Sequence, residues 1–135
     1  MNNNRFATSL HIMVMLSIYK NEFVSSELIA GSININRAIV RKEISNLTDK
    51  GLIESKEGKG GGSMLAKPAK DIKLNDIYQA VRQTSVLGGT NITNPKCPVG
   101  KMINTQIDIL YGDAEEVLVK KFDKITLAEF SKSFQ

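Results

Sequence analysis

The residue types that could do chemistry are few in this sequence, and their spacing narrows what they could do. The sole cysteine is Cys97, in NPKCPVG, and the sole histidine is His11, in an apolar N-terminal stretch. One thiol and one imidazole form neither a metal-ligand cluster nor an evident nucleophile–base pair. There is no His/Ser/Asp constellation and no paired acid/base motif, so no enzyme is expected. His11 reads as a packed or surface residue rather than a ligand. EGKGGGSMLAKP, residues 57–68, places Gly60, Gly61 and Gly62 beside Lys59. This run is not a phosphate-binding loop, because it lacks a strand–loop–helix context and a following Gly-Lys-Ser/Thr. It is either a loose linker or a loop that must approach something closely.

The other chemistry is electrostatic. From Arg37 to Lys73 there are nine Lys/Arg against five Asp/Glu, while the rest of the chain holds nine of each. The whole net charge of +4 therefore sits in one central block. A block of this kind suits a polyanion, since each neutralised phosphate releases counterions. A solvated basic surface is the plainer alternative.

The elements that must position these groups follow from periodicity and caps. Phe6, Leu10, Met13, Val14 and Ser17 recur at helical spacing, which predicts a first helix over about 4–20. Ser25 or Ser26 can cap a second helix over about 25–31, with Leu28 and Ile29 inward and Gly31 ending it. SINI reads as a tight turn with Ile33 toward the core. Asn36 caps a third helix over about 37–50 that stops at Gly51. Its stripe of Val40, Ile44 and Leu47 points inward. Ala38, Arg41, Lys42 and Ser45 lie opposite, with Arg37 flanking them.

Residues 52–56 and 63–66 read as two short strands, with the glycine run as the hairpin tip. A fourth helix is expected over about 74–83. Residues 84–100, rich in glycine, proline and small polar residues, read as an ordered or mobile loop. Ile103, Ile107, Leu110, Ala114 and Val117 then repeat at alternating spacings of four and three. They predict a long helix over about 100–122 with a seam resembling a coiled coil. The seam suits a dimer; packing back on its own domain is the alternative. Thr126 and Glu129 form a capping box for a short terminal helix containing Leu127 and Phe130.

The expected fold is mainly α with a small β-hairpin: a winged helix-turn-helix followed by a long C-terminal dimerisation helix. Its expected parts are a DNA-binding domain at 1–83, a sensor or effector loop at 84–100, and dimerisation and terminal helices at 101–135. In such a layout the third helix enters the major groove and the hairpin reaches the neighbouring minor groove. The expected DNA-binding residues are Ser26, at the start of the second helix, and Asn36, Arg37, Ala38, Arg41, Lys42 and Ser45. Lys59, Gly60 and Gly61 join them at the wing, where bare backbone comes close to DNA. The expected dimer interface is the seam of Ile103, Ile107, Leu110, Ala114 and Val117.

LTDKGLIESKEGKGGGSMLAKPAKDIKLNDIYQAVRQ resembles the Rrf2 family of bacterial winged-helix regulators. The family includes the iron–sulfur cluster regulator and the nitric-oxide-sensing repressor. The likeness rests on Leu47, Lys50, Gly51 and Leu52, then Gly58 and Gly60–Gly62. It continues through Leu65, Ile72, Leu74, Asp76, Ile77, Ala80 and Val81, and covers most of the chain. It extends to the first helix, SININRAIVRK and ITLAEF. The resemblance implies a homodimeric DNA-binding repressor or activator with crossed long helices. Asn36, Arg37, Arg41 and Lys42 match its recognition-helix region, and Lys59, Gly60 and Gly61 match its wing. Arg37 departs from a position where many relatives carry proline. Ser63 stands where an aromatic is usual.

Cluster-binding relatives carry three cysteines in the loop after the fourth helix, where this chain has only Cys97. One thiolate per chain is too few for an iron–sulfur site, so no cluster, metal or other cofactor is expected. Three readings of this region stay open. Cys97 is a small apolar pin for the loop, or a thiol switch activated by Lys96, Lys101 and a nearby helix start. Alternatively, a small-molecule effector binds between the loop and the long helices. The expected partners are double-stranded DNA with a near-palindromic operator, a second copy of the chain, and a thiol or small-molecule effector. A lone cysteine and the lack of any run of about 18 apolar residues point to the cytoplasm rather than a membrane. A winged-helix module that binds protein instead of DNA is the alternative function.

Overall fold

The computed structural model of the protein describes residues 4–82 and 86–135. Gln83, the end of the expected fourth helix, and Thr84 and Ser85, the start of the expected loop, lie outside the described residues. Six α-helices are described: α1 (Arg5–Ile18), α2 (Ser26–Ile33), α3 (Arg37–Asp49), α4 (Leu74–Val81), α5 (Pro98–Phe122) and α6 (Leu127–Ser131). Strands β1 (Ile53–Lys56) and β2 (Gly62–Leu65) follow α3. Among the described residues, no helix is long and apolar enough to cross a membrane.

The chain forms two compact units. The first joins Met1–Val81 to Phe122–Gln135, and the second is Arg82–Lys121. The sequence places 122–135 with the long helix, and the structure differs. The Leu74 amide donates to the Ile125 carbonyl at 2.9 Å, and the Leu127 amide donates to that of Ile72 at 2.7 Å. Leu127 is fully buried in the core of the first unit. The C-terminal segment is held there by backbone pairing and apolar burial together.

Helix α1 is the hub of the first unit and touches α2, α3, α4, α6 and β2. Its burial is broader than the one-stripe pattern anticipates: Thr8, Ser9, Ile12, Met15 and Leu16 are buried as well as Met13 and Val14. A helix surrounded by neighbours has no solvent face along its middle. Ile29, Val40, Leu47, Ile72 and Ile77 complete the core. Burying each such side chain contributes about 1.5–3 kcal/mol. Phe6, Tyr78 and Phe122 form an aromatic trio with centroids 5.5–5.8 Å apart.

Three local expectations at α2 are corrected. Ser25 does cap the helix, accepting the Leu28 amide at 3.1 Å. The helix then runs through Gly31 and ends at Asn34, whose φ of 64° is left-handed. Asparagine tolerates that conformation and so takes the role expected of Gly31. Leu28, expected inward, is exposed, whereas Ile29 is buried. Ile33 is half-buried at the end of the helix rather than in a turn.

The hairpin is antiparallel, with Ile53 opposite Leu65, Glu54 opposite Met64, Ser55 opposite Ser63 and Lys56 opposite Gly62. Val24 adds a third edge: it exchanges two backbone hydrogen bonds with Ser63, at 2.8 and 2.9 Å. Hence Ser63 is buried.

In the second unit, residues 91–100 are tied to the first turns of α5. Thr93 donates to the Gly100 carbonyl, and the Asn104 side-chain amide donates to Asn91 O at 2.7 Å. Helix α5 begins at Pro98, two residues before its expected start; proline suits a first helical position because its missing N–H is not needed there. None of the residues of α5 is buried within the chain.

Candidate nucleic-acid interface

Helix α3 is presented by the way its inner face is held. Val40 and Leu47 are fully buried and Ile44 nearly so. Glu43 is also buried on this side, a charge that the apolar pattern does not disclose. Arg5 of α1 reaches it with Nε at 2.7 Å and Nη2 at 3.1 Å, a two-pronged contact that fixes the rotation of α3. The hydrogen bond to Glu43 and its charge raise the Arg5 pKa further above its ordinary value.

With the inner face held, Arg37, Ala38, Arg41, Lys42 and Ser45 are all exposed. Asn36 is exposed too, and its side chain caps the helix by accepting the Ala38 amide at 2.7 Å. Arg37 lies 3.7 Å from Glu27 in an exposed ion pair, an interaction that water and salt weaken. Ser26 is the first residue of α2 and is half-buried; its neighbour Ser25 makes the cap. Sequence reasoning missed Ile39, which is 52% exposed on α3. The signal was its place one residue before the buried Val40, outside the inward stripe.

The glycines of the hairpin have reasons internal to the fold. Gly60 has a φ of +76° with open space around it, so its backbone needs a left-handed turn. A Cβ on Gly61 would lie 2.2 Å from the Lys56 carbonyl oxygen, and one on Gly62 would lie 2.4 Å from that of Val24. Hairpin closure and the Val24 bridge thus account for Gly61 and Gly62, a physical reason different from close approach to DNA. Lys59 and Gly60 are exposed at the tip, and Gly61 is half-buried. Lys56 sits 5.7 Å from the centre of the Phe23 ring, which positions a second hairpin cation.

In the second unit, Cys97 is exposed at the start of α5. Its carbonyl accepts the Lys101 amide at 2.8 Å, which makes it the capping residue of that helix. The backbone N–H groups of Gly100 and Val99 hold its thiol below the ordinary thiol range. Gly100 permits this geometry, because a Cβ there would lie 2.6 Å from the Asn94 carbonyl oxygen. The same unit holds a pocket of about 300 Å³, lined by Gly88, Gly89 and Thr90 and by Asp108, Tyr111 and Glu115 of α5, and Cys97 is not part of its lining. The apolar seam is open to water: Ile103 is 37%, Leu110 62% and Val117 70% exposed, with Ala114 exposed and Ile107 half-buried.

A family model described as "Rrf2: Iron-dependent Transcriptional regulator" matches residues 2–133. The chain belongs to the Rrf2 family. It is a DNA-binding transcriptional regulator with the winged-helix fold of that family. YwnA of Bacillus subtilis strain 168, named as an HTH-type transcriptional regulator, is 37% identical over 117 residues, which cover 86% of each chain. A solved structure described as a DNA-binding protein is 31% identical, covers 93% of this chain and 97% of its own, and has a TM-score of 0.73. CymR, the global cysteine regulator of Bacillus subtilis, shares the fold at 21% identity and a TM-score of 0.68, covering 98% of this chain and 97% of its own.

The iron named in the family's description invites a test against this member's donors. The chain has one cysteine and one histidine. His11 Nε2 is 2.8 Å from the Ser32 hydroxyl. Among the described residues, no group of three or more His, Cys, Asp or Glu side chains could hold a metal ion. An iron–sulfur cluster takes four protein ligands, commonly thiolates, and these residues do not fit one.

Proposed function

We propose that this Rrf2-family regulator acts in the cytoplasm as a homodimeric repressor of a near-palindromic operator, and that a thiol-directed or small-molecule signal controls it without an iron–sulfur cluster. The observation that carries the reading is the exposed face of α3, with Arg37, Arg41 and Lys42 on a helix whose other face is locked into the core. Arg41 and Lys42 meet base edges and phosphates in the major groove, with Ala38 and Ser45 beside them. Ile39 offers an apolar contact to a thymine methyl. Ser26 and the first amides of α2 hold a phosphate, while Asn36 sets the start of α3. The tip at Lys59, Gly60 and Gly61 follows the minor groove.

The dimer forms through Ile103, Ile107, Leu110, Ala114 and Val117 of α5. Its support is the apolar seam that the chain itself leaves exposed. Cys97 is the favoured signal receiver, supported by its exposure and by the amides that favour its thiolate.

The test begins with selection of bound duplex from a random pool. The selected operator should bind far better than random duplex, with two half-sites about one helical turn apart. Arg41→Ala and Lys59→Ala should each reduce the salt dependence of binding by about one unit of slope. Equal affinity for selected and random duplex at every salt concentration would remove sequence-specific regulation. Mild oxidation should release wild type and not Cys97→Ser; the same response from both would remove the thiol switch.

A further inference from the structure

The basic block read from the sequence is larger than the α3 and wing surface uses. Lys67 and Lys70 belong to that block, and the structure places them elsewhere. They line an open cleft of about 730 Å³ in the first unit, between the hairpin and the C-terminal segment. Lys20, two residues past the end of α1, and Lys132, just after α6, line the same cleft. Leu16, Met64, Leu65 and Ala69 supply apolar surface among them. Four lysines thus share the lining with one acidic side chain, Glu54. Among the described residues none of the four lysines makes a salt bridge.

Like charges gathered around a concave surface repel one another, and an anion relieves that repulsion. The size lies within the usual range of small-ligand pockets, about 300–1,000 Å³. Duplex DNA is a poorer match: its backbone is convex and gains nothing from apolar lining. We infer that this cleft binds a small organic anion, a carboxylate or phosphate group carried on an apolar body. The anionic group lies among Lys20, Lys67, Lys70 and Lys132, and the body covers Leu16, Met64 and Leu65. The site is separate from the α3 and wing surface and from Cys97, and the inference does not depend on the operator reading.

The test uses the full chain and anilinonaphthalene sulfonate, a fluorescent anion with an apolar body. Binding should be saturable, and Lys67→Glu with Lys70→Glu should weaken it by about tenfold. Octanoate should displace the probe, while octylammonium and octanol should do so poorly. Both substituted positions are exposed, and an unchanged circular dichroism spectrum would show that the variant folds. An unchanged probe isotherm in the folded variant, or equal displacement by octylammonium, would overturn the inference. It would also fall if the variant lost operator affinity and salt dependence while binding the probe normally, since the lysines would then be a DNA contact. Operator binding by wild type is measured separately, so failure of this site and failure of the DNA reading are distinguishable.

Discussion

Cys97 shows how one residue's chemistry depends on its neighbours' backbone. The sequence pointed to Lys96, Lys101 and a nearby helix start as the features that would favour thiolate, and the structure bears on the helix start. The amides of Gly100 and Val99 favour thiolate there, because α5 begins early enough to make Cys97 its cap. A depressed thiol pKa means that the thiolate prevails at a lower pH than for an ordinary cysteine. The stability it contributes is present above the unfolded-state value and lost as pH falls through the folded value. Gly100→Ala would force the turn at Asn94 to shift. The half-maximal rate of iodoacetamide alkylation should therefore move to higher pH in that variant; an unmoved profile would contradict the geometry. Glu43 is the residue that local pattern reading could not place. Its partner Arg5 lies 38 positions away in the chain. Arg5→Ala leaves a buried carboxylate with its two-pronged contact removed and should cost about 1–3 kcal/mol in urea denaturation. Arg37→Ala, which removes only an exposed pair, should cost less than about 1 kcal/mol.

At the scale of elements, α3 and the hairpin were legible because their signals are local. Asn36, Gly51 and the stripe of Val40, Ile44 and Leu47 define α3, and each strand lies within one residue of its expected bounds. The third edge of the sheet was not legible, since the Val24–Ser63 bridge is isolated and has no period to read. That bridge separates the roles of two glycines that look alike in sequence. Gly60→Ala meets only its positive φ and should cost about 1 kcal/mol. Gly62→Ala meets the Val24 backbone at 2.4 Å as well as a φ of +145°, and should cost more than about 2 kcal/mol. Thermal melts of the two variants check the order. Equal losses would mean that the bridge does not constrain Gly62.

For the whole molecule, the exposed seam of α5 leads to a prediction about assembly. Leu110→Asp with Val117→Asp places charges on positions that are 62% and 70% exposed in the single chain. The helix should survive, while sedimentation velocity should show the mass falling from dimer to monomer and operator affinity falling with it. A wild type that sediments as a monomer would reject the dimer, and a double variant that stays dimeric would reject this seam. The amino-acid order alone determined the succession of helices, the hairpin, the basic outer face of α3 and the lone thiol. These depend on period, caps and composition within short stretches of chain. Folding decided that residues 122–135 join the first unit, that Arg5 locks Glu43, that Gly62 serves Val24, and that Lys67 and Lys70 meet Lys20 and Lys132 around one cleft. Each of these depends on residues distant in the chain coming together, and such contacts leave no mark in any local pattern.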